Sequence, residues 1–226
     1  MNAEQRRNII SKLTEVINDD RAALLKEVLE KRTHYLTVIL DDIYLPQNAS
    51  AIIRTSECLG VQNIHSIQER NTHKINRNVV NGASKWINVE RYDGSTGRKC
   101  CVKTLKHQGY KIVAMTLKAD AVPLEELPID TKLALSFGCE ETGLSKDIED
   151  NADYKVQIPI TGFTQSYNVS VSAGISLYYL LNKIKSSSLS WQLNQEEKDR
   201  LFIDWLSKST PAGEALLGRY TEETNA

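Results

Sequence analysis

This chain lacks long apolar runs, and no apolar segment in it is long enough to span a bilayer as a helix. The first seven residues, MNAEQRR, lead into an amphipathic helix and not into an apolar stretch, so we expect no secretion signal and no membrane attachment. Cysteine is scarce, with 4 in 226 residues and no Cys-x-x-Cys, and the 4 histidines are scattered. We therefore predict a cytoplasmic protein with no metal site and no disulfide framework.

Net charge is also nearly absent, at -1, which excludes a uniformly basic nucleic-acid binder. The charges are nevertheless unevenly distributed along the chain. Residues 70–118 carry eleven basic and two acidic residues, a net of +9, whereas residues 119–156 carry ten acidic and three basic residues, a net of -7. This segregation is typical of a protein with one phosphate-facing side, and ordinary solvated helix faces are the alternative explanation.

Short apolar segments alternate with amphipathic ones through the middle of the chain. They predict strands at 36–40, 63–67, 86–92, 111–117, 132–137 and 155–158, and helices at 49–59, about 95–108 and 168–185. This alternation predicts an α/β fold with a mostly parallel sheet and helices on both faces. The length favours one domain with appendages, or at most two small domains. We predict a domain at residues 35–185 with a helical extension at each terminus, 1–34 and 186–226.

The most informative segment runs from Gly162 to Gly174 and reads GFTQSYNVSVSAG. It follows a short predicted strand and leads into an apolar predicted helix. Its small residues let a backbone or a ligand come close, and Asn168 is a good N-cap for the helix. Because the first N–H groups of a helix favour polar or anionic ligand groups, the segment predicts a ligand-binding loop.

Two further segments sharpen this interpretation. One is PQNASAIIRT at residues 46–55, and the other is LALSFGCEETGLS at residues 133–145. In this order, the three segments resemble the motifs of the TrmH (SpoU) ribose methyltransferases of the SPOUT superfamily. The family pattern has Asn and Arg in the first motif, Gly-x-Glu-x-x-Gly in the second and Ser-x-Asn-Val-Ser in the third. The resemblance covers roughly residues 35–185.

The resemblance implies a fold and partners that periodicity does not show. It implies a trefoil knot in the C-terminal part of the domain, which brings the loops after three strands into one cofactor pocket. It also implies a homodimer with the active site near the subunit interface, and S-adenosylmethionine as the methyl donor.

The resemblance also assigns roles to residues of this chain. The residues that it places in catalysis are Asn48, Arg54, Glu140, Ser166 and Asn168, and those that it places around the cofactor are Met115, Thr116, Gly138, Ile158, Tyr167 and Asn168. Two positions depart from the family, which often has Leu at 167 and Ala at 172. We expect residue 167 to contact the cofactor through its backbone, so that the tyrosine is tolerated.

Arg54 is the strongest candidate for chemistry. It lies at helical spacing among Ile52, Ile53 and Cys58, where a buried guanidinium would need a partner. A structural ion pair is the alternative explanation. In the family the matching arginine activates the 2′-hydroxyl, either as a base aided by an RNA phosphate or as a fixed cation. The second role is physically easier, because arginine hardly gives up its proton. Asn48 is a candidate cap of the same helix.

The match is closest to the tRNA subgroup that methylates guanosine 18 in the D-loop, and this is the predicted activity. The alternatives are methylation of rRNA or of another tRNA position, and a non-catalytic RNA-binding member of the fold. The predicted RNA-binding residues, besides Arg54, are Lys74, Arg77, Lys103 and Lys106.

Overall fold

A seven-stranded parallel sheet organises the computed structural model of this chain, which describes residues 1–71 and 82–225. The strand order is β3-β2-β1-β6-β4-β7-β5, and every neighbouring pair is parallel. The predicted α/β fold with a parallel sheet is confirmed. The strands are β1 (Leu36–Asp41), β2 (Asn63–Gln68), β3 (Asn88–Asp93), β4 (Lys111–Met115), β5 (Val122–Pro123), β6 (Leu133–Gly138) and β7 (Tyr154–Gln157).

Helices connect and flank the strands. Within the described residues they are α1 (Ala3–Glu15), α2 (Asp19–Leu29), α3 (Pro46–Leu59), α4 (Gly94–His107), α5 (Lys146–Asn151), α6 (Val169–Lys185), α7 (Gln195–Ser209) and α8 (Gly213–Asn225). The sequence pattern did not predict β5, α5 or α8. Two residues of strand and six of helix are too short for a period to show, whereas α8 was simply missed.

Both faces of the sheet are covered by helices. On one face Val38 and Leu40 pack into a cluster with apolar residues of α3 and α6. On the other face Ile39 packs with Cys101 and Leu105 of α4. Successive residues of a strand point to opposite faces, so β1 supplies both clusters and is buried along its whole length. This burial explains why its sequence is continuously apolar at its centre.

Helix α3 begins earlier than predicted and lacks the predicted cap. It starts at Pro46, and the residue before it, Leu45, makes no capping hydrogen bond through its side chain. Proline at the first helical position has a suitable φ and no N–H to satisfy, so it starts the helix without help from Asn48. The prediction that Asn48 caps this helix is therefore wrong, and its side chain is available for other contacts. The helix ends at Gly60, in the left-handed region at φ 91°, as the sequence predicts.

The chain divides into two compact units, Met1–Thr33 with Gln192–Ala226, and His34–Trp191. In the helical unit, α1 packs against α7 and α8, and α2 packs against α7. A buried ion pair lies within this unit, where Arg6 Nε is 3.4 Å from Asp199 Oδ2. No helix in the described parts of the chain is long and apolar enough to cross a membrane.

Candidate active site

A cleft of about 720 Å³ lies at the carboxyl ends of three neighbouring strands, β6, β4 and β7. Gly138 and Met115 are the last residues of β6 and β4, and Ile158 directly follows β7. Parallel strands end at the same edge of a sheet, which is where ligands of open α/β folds bind. The volume is that of a site for a small organic molecule.

The structure brings most of the predicted site residues to this cleft. All the residues predicted to contact the cofactor line it, and so do three more of the predicted catalytic residues; these are Met115, Thr116, Gly138, Ile158, Tyr167 and Asn168, joined by Asn48, Glu140 and Ser166. Sequence reasoning missed other lining residues, including Leu45, Leu117, Lys118, Phe137, Thr142, Leu144, Val156 and Gln157. Most of these lie within two positions of a predicted residue, so closeness to the ends of the strands could have identified them.

Glu140 connects the second motif to the first. Its Oε2 accepts a hydrogen bond from the backbone N–H of Tyr44 at 2.7 Å, and its Oε1 accepts one from that of Leu45 at 3.2 Å. The side-chain amide of Asn48 also donates to Oε1, at 2.6 Å. A single carboxylate thus holds the loop before α3 and the first turn of that helix.

Asn168 extends this network to the third motif. Its side-chain amide donates to Asn48 Oδ1 at 3.2 Å, and its own Oδ1 accepts from the backbone N–H of Ser170 at 2.8 Å and of Val171 at 3.4 Å. The predicted N-cap of α6 is confirmed. The hydrogen bonds from Glu140 to Asn48 and from Asn168 to Asn48 join all three motifs at one edge of the cleft.

These hydrogen bonds favour the ionised form of Glu140. Partial burial alone would raise the pKa of its carboxyl group. The bonds donated by Asn48 and by backbone N–H groups, including those of Tyr44 and Leu45, outweigh that effect, so the net pKa lies below the ordinary value. Glu140 is therefore ionised at neutral pH and presents a negative charge at the cleft.

The glycines of the second motif allow a tight chain reversal. A Cβ atom on Gly138 would lie 2.3 Å from the backbone carbon of Gly143 and from the backbone nitrogen of Leu144. Gly143 has φ +71°, and its N–H donates to the carbonyl of Cys139 at 2.7 Å. A side chain at 138 would push the loop apart, and one at 143 would strain it. The motif spacing is thus a requirement of this loop.

The structure does not bring Arg54 to the cleft lining. Ile52 and Ile53 are buried, whereas Arg54 and Cys58 are exposed on the outer side of α3. Residues four apart share one face of a helix, so Arg54 and Cys58 point the same way. The expectation that the guanidinium of Arg54 lies in an apolar environment is therefore wrong.

The predicted basic surface is only partly described. Lys74 and Arg77 lie outside the described residues. Lys103 and Lys106 are exposed on α4, and Lys106 Nζ is 4.0 Å from Asp153 Oδ2.

Other charges of the two oppositely charged segments pair with each other. Lys111 Nζ is 3.0 Å from Asp153 Oδ1, and Lys118 pairs with Glu149 at the cleft. The charge segregation seen along the sequence is thus partly neutralised in three dimensions.

Comparison with known proteins agrees with this arrangement. Residues 35–178, which contain the strands of the sheet and all three motifs, match the model of the SpoU rRNA Methylase family. The chain belongs to the SpoU family. This confirms the resemblance read from the three motifs.

SpoU-family relatives cover most of the chain. A tRNA (guanosine(18)-2′-O)-methyltransferase of Borreliella burgdorferi is 44% identical over 196 residues, which are 87% of this chain and 88% of the relative. The enzyme of the same description from Aquifex aeolicus is 32% identical over 193 residues, 84% of this chain and 90% of the relative. The crystal structure of the A. aeolicus TrmH/SpoU tRNA modifying enzyme superposes with a TM-score of 0.75 at 32% identity, covering 83% of this chain and 95% of that one.

Proposed function

We propose that this SpoU-family protein is an enzyme that methylates the 2′-hydroxyl of guanosine 18 in the D-loop of tRNA, with S-adenosylmethionine as the donor. The observation that carries the proposal is the hydrogen-bonded contact among Glu140, Asn48 and Asn168, which assembles the three motifs at one cleft. The names of the relatives at 44% and 32% identity supply the RNA and the nucleotide.

The cleft suits S-adenosylmethionine in size and chemistry. Met115, Phe137 and Ile158 provide apolar surface for an adenine ring, and the ends of the strands provide backbone groups for its edge. The ionised carboxylate of Glu140 favours a cationic ligand. When bound, the donor supplies an electrophilic methyl group to the ribose hydroxyl. Thr116, Gly138 and Tyr167 complete the set of residues that would hold it.

The chain's own residues then have separate tasks. Arg54 acts as a fixed cation that polarises the 2′-hydroxyl, stabilises the developing alkoxide and holds an RNA phosphate. Its exposed position on α3 leaves it accessible to an RNA that docks over the cleft. Asn48 and Glu140 keep the start of the same helix in place, and Ser166 and Asn168 shape the loop over the donor.

The proposed assembly is a homodimer formed through α6. This helix buries one side in the core, yet Val171, Ile175 and Tyr178 are 48%, 38% and 64% exposed at spacings of four and three residues. An apolar stripe of this kind marks an interaction surface. A second copy suits it, because Asn168, the N-cap of α6, lines the cleft and the resemblance places the active site near a subunit interface. Sedimentation of Tyr178→Glu should show a monomer if this is correct.

The remaining parts of the proposal concern topology and substrate docking. We assign residues 35–185 to the methyltransferase domain and propose that its C-terminal part forms a trefoil knot, in keeping with the position of β4 between β6 and β7. A crystal structure traced through residues 133–185 would test the knot. The helical extensions, 1–34 and 186–226, together with Lys103, Lys106, Lys74 and Arg77, are proposed to dock tRNA in the cytoplasm.

The decisive experiment is methyl transfer from a labelled donor to total tRNA and to total rRNA, followed by mapping of the modified nucleotide. We expect labelled tRNA with the methyl group on guanosine 18. Label in rRNA alone would instead support the activity named in the description of the family. Binding of the donor without transfer to any RNA would indicate a non-catalytic member.

A further inference from the structure

Asp41 lies next to a residue of the cleft lining and contacts the second motif in two ways. It is the last residue of β1, is 1% exposed, and pairs in the parallel register with Gly138, the last residue of β6. Its side-chain Oδ2 accepts a hydrogen bond from the backbone N–H of Ser145 at 2.7 Å. Asp41 therefore adjoins the first residue of loop 138–145 through strand pairing and holds the last through its carboxylate.

The loop between Gly138 and Ser145 forms one wall of the cleft. The loop reverses tightly over Gly138 and carries Glu140, whose carboxylate holds the start of α3. Thr142 and Leu144 of the same loop also line the cleft. Asp41 makes the one described side-chain hydrogen bond to a backbone group of this loop. If the Ser145 end were released, the loop that carries Glu140 would be held less firmly at that end.

The carboxylate of Asp41 is itself held in place. Arg98 on α4, which is 4% exposed, donates from Nε to Asp41 Oδ1 at 2.8 Å. A second guanidinium nitrogen of Arg98 donates to Glu69 Oε2, also at 2.8 Å. Each oxygen of the Asp41 carboxylate thus accepts one hydrogen bond, and rotation of the carboxylate would break both bonds.

The neighbouring residue stabilises Glu69. Asp42 adopts φ 55°, and its Oδ1 accepts hydrogen bonds from the backbone N–H groups of Glu69, Arg70 and Asn71 at 2.9, 3.1 and 2.9 Å. Both carboxylates at the end of β1 are therefore used to hold loops at the edge of the sheet that contains the cleft. Asp42 holds the loop after β2, and Asp41 holds the loop after β6.

We propose that Asp41, oriented by Arg98, is a positioning residue for the donor site, which acts by holding loop 138–145 and through it Glu140. Neither side chain is part of the cleft lining. The inference rests on the proposed function, because it assigns the cleft to the donor. It adds a buried ion pair to the site that lies outside the three motifs.

The test compares three variants with the wild type in calorimetric binding of S-adenosylhomocysteine, the demethylated donor. Asp41→Asn is isosteric, yet its amide nitrogen must face either Arg98 or the N–H of Ser145, and both are donors. Arg98→Met removes the orienting cation and leaves the bond to Ser145. Asp199→Asn is the matched control, because it disrupts a buried ion pair with Arg6 in the helical unit.

We expect Asp41→Asn to weaken binding at least about tenfold, Arg98→Met to weaken it less, and Asp199→Asn to leave it unchanged after a comparable loss of melting temperature. Hydrogen exchange should rise in the peptide covering residues 139–145 in the first two variants and not in the control. If Asp41→Asn does not fold, Arg98→Met carries both measurements.

Two outcomes would overturn the inference. One is a folded Asp41→Asn protein with wild-type affinity and unchanged exchange in residues 139–145. The other is an equal loss of affinity in Asp199→Asn, which would make the effect one of general stability. Failure of the wild type to bind the ligand would instead contradict the proposed function, so the two are distinguishable.

Discussion

Asn48 and Arg54 lie within two turns of each other on α3, in opposite environments. Asn48 is 8% exposed and hydrogen-bonded on both sides, to Glu140 and to Asn168. Arg54 is exposed and outside the cleft lining. The first belongs to a hydrogen-bonded wall of the cleft. The second faces the solvent.

This difference indicates that donor binding and RNA contact use different sides of α3 in the proposed reaction. Holding the donor requires groups whose positions are set in advance, because ordering them at the moment of binding costs conformational entropy. Contact with a large RNA requires an accessible cation. The same helix supplies both, since residues on its opposite sides meet the core and the solvent.

The substitution Arg54→Ala tests the difference between Asn48 and Arg54 most directly. We expect methyl transfer to fall about 10²- to 10³-fold, because the developing alkoxide would lose its cation. Donor affinity should stay near the wild-type value, since Arg54 does not line the cleft. Single-turnover assays with calorimetry measure both quantities. Arg54→Lys is the control for charge and should recover part of the rate. Full activity of the Arg54→Ala protein would show that Arg54 has no role in methyl transfer.

Glu140→Gln tests the hydrogen-bonded wall of the cleft that Glu140 forms with Asn48 and Asn168. The glutamine amide must oppose one of the N–H donors from Tyr44, Leu45 or Asn48, so we expect donor affinity to fall about tenfold, equivalent to about 1.4 kcal/mol. Turnover should fall with it. Glu141→Gln is the matched control, because Glu141 is the next residue, is exposed and is not part of the motif. Equal behaviour of the two variants would contradict the role given to the network.

The double variant Lys103→Gln/Lys106→Gln tests the RNA side. We expect the apparent KM for tRNA to rise several-fold, and the slope of log affinity against log salt to flatten by roughly 0.7 to 0.9 for each RNA phosphate that the variant no longer neutralises. Donor affinity should not change. Lys111→Gln is the control, because its ammonium hydrogen-bonds to Asp153 at 3.0 Å, whereas that of Lys106 is 4.0 Å from the same carboxylate. Binding identical to the wild type at every salt concentration would remove this surface from the proposal.

The smallest expected effect is the pH dependence contributed by Glu140. Its pKa in the folded protein is lowered, so the stabilisation that it contributes is present above its ordinary value of 4.5 and is lost as the pH falls through the folded value. Urea unfolding of wild type and Glu140→Gln should therefore differ at neutral pH and converge in acid. A difference that stays constant down to acid would mean that the hydrogen bonds do not depend on the charge.

Local patterns in the sequence were enough for much of the fold and the cleft. The alternation of predicted strands and helices, with nearly continuous apolar strand interiors, predicted a parallel sheet, because strands buried on both faces have that composition. The N-cap at Asn168 was also predicted, since a cap is a contact over two or three residues. The three motifs each end a predicted strand or begin a predicted helix, and their resemblance to the family implied that they meet in one pocket.

Contacts between distant residues were decided only by the tertiary structure. Asn48 and Glu140 are 92 positions apart, and Asp41 and Ser145 are 104 apart. No local pattern indicates that Asn48 holds Glu140 instead of capping α3, that Arg54 faces outward, or that Lys111 neutralises Asp153. Strand order determines which loops meet at the edge of the sheet, and that order depends on how β1, β6 and β4 bury their faces together rather than on any one segment.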